Sequence, residues 1–351
     1  MCLVLLTTAH PSYSIIILNN RDEFVSRPTS RPCWWSSHGQ EILSSRDLLK
    51  EEQGTWLGIT KKGSFAVLTN FSDSEHKTLQ TQVMRENREN RENRESRGSM
   101  VIVYLTRPEG ENTEDFAHRI LNNDEKQKKI GGFSLLTGRL KRVKPTIQEL
   151  EPLAIISNRT DYPRQVSWIA GKRGEAYGLS NTSFSNPEPW PKVRMGKEKL
   201  LQIIKEASAK KLGKYELVEE LFSLLNTDTF PTDERKTFEG CSSNLKDSIF
   251  IPPIGTQDVS KEIASHIKPT SLEHSQYSLK SGELKSQLTE IDSHWEIDNG
   301  VSGVYGTQRQ TVILVDWEGN VTFCERSLWD ADGQPIQRGE SDLNFEFKIE
   351  D

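Results

Sequence analysis

Cysteine is scarce in this 351-residue chain: Cys2, Cys33, Cys241 and Cys324 are widely scattered, and no CxxC pair exists. That spacing argues against a disulfide scaffold and leaves free thiols in a reducing compartment as the expectation. The seven histidines are equally dispersed, without HExxH or any Cys/His ligand spacing, so no metal site is expected. No apolar run approaches the roughly 20 residues of a membrane span. The apolar N-terminal run is short, lacks a basic flank and is broken by Pro11, so a secretory signal is not expected and cytoplasm is the default. Basic surplus is absent too: 45 Lys and Arg face 51 Asp and Glu, for a net charge of −6. Such a chain has no reserve of charge to displace counterions from nucleic acid. No GxGxxG or GxxxxGK[ST] motif opens a helix, so nucleotide folds receive no support.

What is present is concentrated at the start. Cys2-Leu3-Val4-Leu5-Leu6 and Ser14-Ile15-Ile16-Ile17-Leu18 read as two buried strands around the turn signal His10-Pro11-Ser12-Tyr13. The first strand begins on a cysteine and the second runs into Asn20-Arg21-Asp22-Glu23. Pairing them sets a thiol beside an arginine and two carboxylates. A small residue after Met1 permits removal of the methionine. Cys2 would then carry a thiol and an α-amine on one carbon, the amine with an ordinary pKa of about 7.7–8. A nucleophile with its own base is a self-contained catalytic unit.

Further along, residues 29–53 read as a long polar loop with a Cys33-Trp34-Trp35 cluster. A second hairpin, 53–60 and 64–70, ends on Asn70. Residues 85–95 repeat Arg-Glu-Asn with no apolar residue, and the segment 80–97 is expected to be a solvated insertion. Short helices are expected at Ser99–Leu105 and Thr113–Leu121, the latter with an acidic first turn. Strands follow near 131–138, 153–158, 166–170 and 174–181, the last ending on Asn181. Two helices, about Val193–Ala209 and Tyr215–Leu225, carry apolar stripes. Residues 256–297, rich in Ser, Lys and Glu, read as a flexible insertion. A final hairpin, 304–316 and 321–327, and an alternating tail at 344–349 close the chain. Strands lead, helices hold the middle and strands return, which predicts an α+β fold with antiparallel sheets in a single domain, 1–351.

These residues carry a resemblance. Met1-Cys2, Asn20-Arg21-Asp22-Glu23-Phe24 with Ser26-Arg27-Pro28, Gly54-Thr55-Trp56-Leu57-Gly58, Leu68-Thr69-Asn70, Tyr177-Gly178-Leu179-Ser180-Asn181, Tyr305-Gly306-Thr307 and Val321–Ser327 stand in order along the chain. In this the chain resembles the transport and Golgi organisation protein 2 family, also called the NRDE family. The resemblance implies an N-terminal-nucleophile hydrolase fold, two stacked antiparallel sheets between helical layers, similar to choloylglycine hydrolase and penicillin acylase. It implies Cys2 as nucleophile with its amine as base, Asp22 orienting the amine, and Arg21 holding the thiol or a substrate carboxylate. Asn70 and Asn181 would donate to the oxyanion, with Asn20, Glu23 and Trp56 contacting substrate. One departure stands out. Relatives often read Tyr-Gly-Thr-Arg where this chain reads Tyr305-Gly306-Thr307-Gln308-Arg309. Moving an arginine one place along a strand sends it to the opposite face, so Arg309 is left out of the site.

Fold does not settle function. One reading is a cysteine amidohydrolase or acyltransferase acting on a small amide or acyl thioester, a lipid-like metabolite, with no cofactor required. The other, resting on the resemblance alone, is a non-catalytic carrier of haem or lipid tied to Golgi organisation, protein secretion or mitochondrial haem movement, with Cys2 as a thiolate ligand. A trafficking adaptor is a third. Golgi or mitochondrial association follows only from the resemblance, and protein partners are not indicated.

Overall fold

The structure is a computed structural model and describes residues 2–71, 96–123, 130–159, 166–231, 244–254 and 304–350. The insertion expected at 256–297 lies outside the described residues, as does 80–95 of the first one.

Two antiparallel sheets stack face to face. The first has six strands in the order β10-β1-β2-β11-β12-β13, with β1 Leu3–Thr7, β2 Tyr13–Phe24, β10 Ala176–Leu179, β11 Tyr305–Asp316, β12 Asn320–Ser327 and β13 Leu343–Lys348. The second has seven strands in sequence order from β3 to β9: Cys33–Ser37, Gln40–Ser44, Leu57–Thr60, Ser64–Asn70, Phe133–Arg139, Leu153–Ser157 and Ser167–Ile169. Strand alternation decides what lies between them. Val4, Leu6, Ile15, Ile17, Ile313 and Phe323 of the first sheet meet Leu43, Ile59, Val67 and Leu136 of the second. The intervening residues Leu3, Leu5, Ile16, Leu18, Val312 and Leu314 point outward under α3 (Pro191–Lys210) and α4 (Lys214–Leu225). On the far side, Ala66, Leu68, Leu135 and Ile156 are covered by α1 (Ser99–Leu105) and α2 (Thr113–Leu121). The expected α+β sandwich of helix, sheet, sheet and helix layers is therefore present.

The layers are held by burial of large side chains on both faces of each sheet. Helix α4 alone buries Leu217, Val218, Leu221, Phe222, Leu224 and Leu225, each worth roughly 1.5–3 kcal/mol. Helix α2 starts where its sequence says: Asn112 accepts from the Asp115 N–H at 2.9 Å, a cap worth about 1 kcal/mol. Helix α3 lies very close to β1. A Cβ on Gly196 would meet Leu5 Cδ1 at 2.7 Å, so a side chain there would force a shift. This approach sets the height of the first turn of α3 above the N-terminal strand.

The stretch 29–53 is not a loop. Residues 33–37 and 40–44 pair as the hairpin β3–β4. Its turn uses His38 and Gly39, both at positive φ (47° and 75°), the backbone that matches strand twist in tight hairpins. As an outer hairpin its strands are mostly half-buried or exposed, so the polar–apolar alternation that flags a strand is weak here.

Candidate functional site at the Cys2 corner

The site forms where β10, β1, β2 and β11 end side by side. Leu3 pairs with Asn20 and Val4 with Leu179, so the next residue outward, Cys2, meets the ends of both neighbours. From β10, the Ser180 hydroxyl donates to the Cys2 carbonyl at 2.7 Å, and Asn181 follows with its Oδ1 3.4 Å from that hydroxyl. From β2, the Asp22 carbonyl oxygen lies 3.9 Å from Cys2 Sγ. From the second sheet, Thr69 Oγ1 donates to the Ser180 carbonyl at 2.8 Å, which brings the end of β6 to the same corner, while Asn70 pairs with Phe133 on the side that α1 and α2 cover.

Alternation sends Arg21 and Asp22 to opposite faces of β2. Arg21 points between the sheets. Its guanidinium lies 4.3 Å from the Trp56 ring centroid, donates to Gln308 Oε1 and stands 4.0 Å from Glu23 Oε2. Asp22 points under the helices, where Thr307 Oγ1 donates to its Oδ1 at 2.7 Å and Lys192 Nζ stands 3.9 Å from its Oδ2. The Tyr305 hydroxyl donates to the Asp22 carbonyl at 3.2 Å. Glu23 lies between Arg21 and Arg27, 3.7 Å from the latter. Asn20 is turned away from this corner. Its amide donates to the carbonyls of Leu225 and Ile249, both at 2.9 Å, and its work is to tie β2 to α4.

Burial dominates the electrostatics. It pushes the Cys2 thiol up, with the Asp22 carboxylate adding to the effect and the Arg21 charge opposing it. Burial likewise pushes the Lys192 ammonium down, against the attraction of Asp22 and Cys2. Lys192 escaped the sequence reading. Its signal was its place: Pro191 is the first residue of α3, a position that suits proline, so Lys192 belongs to the first helical turn, above the strand that begins at Cys2.

Arg309 also differs from expectation. Thr307 pairs with Asp22 and Arg309 with Arg21, the register shifting between them. Gln308 is thus the extra residue of a β-bulge, which absorbs the added position locally. Arg309 keeps to the inter-sheet side, bonded to Ser327 and 3.5 Å from Glu325 Oε1. Among the described residues no group of three His, Cys, Asp or Glu is placed to hold a metal ion. No described helix is long and apolar enough to cross a membrane.

The profile of the family described as Transport and Golgi organisation 2 matches residues 1–330. The chain belongs to that family. A human relative, Transport and Golgi organization protein 2 homolog, is 27% identical over 329 residues, covering 92% of this chain and 89% of its own. An uncharacterized protein of Saccharomyces cerevisiae is 24% identical over 364 residues, covering 99% and 100%. Among solved structures, penicillin V acylase from Agrobacterium tumefaciens is similar at 10% identity and a TM-score of 0.42, covering 99% of this chain and 86% of that one. The sandwich itself is read from this family member's own strands and helices.

Proposed function

We propose that this Transport and Golgi organisation 2 family member uses Cys2 for acyl transfer from a small amide or acyl thioester with a lipid-like acyl part. The observation that carries the reading is the double hold on Cys2: Ser180 of the β10 end on its carbonyl, and the Asp22 carbonyl of β2 beside its sulfur. A nucleophile fixed from two strands is positioned before substrate arrives. The thiol proton passes to a base as the sulfur–carbon bond forms. The amine or thiol leaving group departs with that proton, and water then hydrolyses the thioester and restores the thiol. The Cys2 α-amine, once Met1 is removed, suits the base. Arg21, buried against Trp56, favours the thiolate. Asn181 supplies a donor for the oxyanion, of a kind worth about 2.7–4 kcal/mol where single donors have been removed.

The test pairs intact-mass measurement of the N-terminus with turnover of acyl-amide and acyl-CoA panels by wild type and Cys2→Ala. Turnover that vanishes in Cys2→Ala supports the assignment, and equal turnover by both ends it. Saturable binding of haem or an acyl ligand without any turnover would replace catalysis by a carrier role for the same corner.

A further inference from the structure

Beside the Cys2 corner, on the other side of Gln308, lies a cavity of about 240 Å³. Its wall includes Arg27, Arg31, Arg309, Thr29, Ser327 and Asp330. Three arginines line one small cavity, and among the described residues only Arg27 and Arg309 of the three face a carboxylate. Asp47 accepts from Arg27 at 2.7 Å and 3.1 Å. Glu23 lies between Arg21 and Arg27. Asp330 Oδ1 accepts the backbone N–H groups of Asp332 and Gln334 within its own turn. Glu325 faces Arg309 at 3.5 Å, and it also accepts from Ser45.

Two arginines remain under-committed. Among the described residues Arg31 makes one hydrogen bond, to the Ser341 carbonyl at 2.6 Å, and meets no carboxylate. Arg309, 5% exposed, has a buried Nε with no hydrogen-bond partner among the described residues. Its Nη2 donates to Thr29 at 2.7 Å and its Nη1 to Ser327, so two hydroxyls with oxygen lone pairs and rotatable protons stand beside it. Arginine forks with adjacent hydroxyls match the oxygens of phosphate and carboxylate groups.

We propose that this cavity is an oxyanion-binding site, in which Arg309 and Arg31, with the Thr29 and Ser327 hydroxyls, take a phosphate or carboxylate group borne by a small molecule. The Gln308 bulge builds it: it sets Arg309 on this wall while Gln308 spends its own amide on the carbonyls of Val25 and Arg27 at 3.2 Å and 2.9 Å. The site does not depend on Cys2 being a nucleophile.

The test uses the full chain with inorganic phosphate, pyrophosphate and acetate, read by calorimetry and by phosphorus NMR, in wild type, Arg31→Gln, Cys2→Ala and the paired Arg309→Gln/Glu325→Gln variant. Saturable binding of at least one anion is expected, weakened about tenfold or more in Arg31→Gln, since each charge-assisted contact of this kind is a strong one. Cys2→Ala should bind as wild type does. Phosphate and acetate competing for the site would mark it as general for oxyanions, and phosphate binding alone would mark it as a phosphate site. No saturable binding, or binding unchanged in Arg31→Gln, overturns the proposal. Arg31 is exposed, so its variant reports even if the buried pair fails to fold.

Discussion

Lys192 places its ammonium 3.9 Å from the Asp22 carboxylate, and both side chains are completely buried. Two charges taken fully out of water depend on each other. Removing one leaves an uncompensated buried charge, which typically costs about 3–5 kcal/mol. Lys192→Met is therefore expected to destabilise the protein by about that amount in urea titrations. Lys192→Met combined with Asp22→Asn should recover more than half of the loss. A double variant no more stable than the single would show that the two side chains do not act as a pair.

Gln308 is the extra residue in β11, so deleting it should shorten the bulge and leave Arg309 opposite Arg21. The deletion removes the acceptor for Arg21 and the donor to the carbonyls of Val25 and Arg27. Loss of these bonds is expected to lower stability by about 1–3 kcal/mol with a single cooperative transition retained. If the deletion instead turned Arg309 to the other face, the whole strand beyond it would lose register and the protein would not fold.

That residue also shows where sequence reasoning reaches its limit. Hydrophobic periodicity located β1, β2, β11 and β12, and the start and stop signals put α1 and α2 at Ser99–Leu105 and Thr113–Leu121, as found. The meeting of Cys2 with the end of β2 followed from hairpin pairing alone. Periodicity assumes an unbroken pleat, however, and a bulge resets it without leaving any mark in composition. It also does not say which of two buried faces a polar residue serves. Asn20 and Arg21 are both buried and adjacent, yet one bonds α4 and the other lies on Trp56. Lys192 was hidden for a third reason: lysine is a surface residue by habit, and only the packing of α3 on β1 seals this one in.

The three described thiols should differ sharply in reactivity. Cys33 is exposed, whereas Cys2 and Cys324 are buried. Burial pushes the Cys324 thiol from 9.0 up to about 12. At pH 8 its thiolate fraction is then about a thousandfold below that of an ordinary thiol. A folded-state value above the unfolded one means stability from this group is full below about pH 9 and is lost as pH rises towards 12. Timed alkylation with peptide mapping should label Cys33 first and Cys324 only as the protein unfolds, with Cys2 between them because its thiol must admit a substrate. Labelling of Cys324 as fast as that of Cys33 would overturn this order.

Asn20 and Asn181 offer the sharpest separation of scaffold from chemistry. Asn20 holds two carbonyls, those of Leu225 and Ile249, that nothing else shown here satisfies from β2. Asn20→Ala strands both in a water-free interior, at about 1–3 kcal/mol for each group left unpaired. The variant should melt earlier while its remaining folded fraction keeps the activity of wild type. Asn181 sits beside the hydroxyl that holds the Cys2 carbonyl, and its own Oδ1 makes only a long contact of 3.4 Å. Asn181→Ala should leave the urea midpoint nearly unchanged and reduce acyl-transfer kcat by about a hundredfold, the effect of losing one oxyanion donor. Measured side by side, the two substitutions should move stability and turnover in opposite patterns. If Asn181→Ala lowered stability and spared turnover, the asparagine would be a turn former and the oxyanion would need another donor.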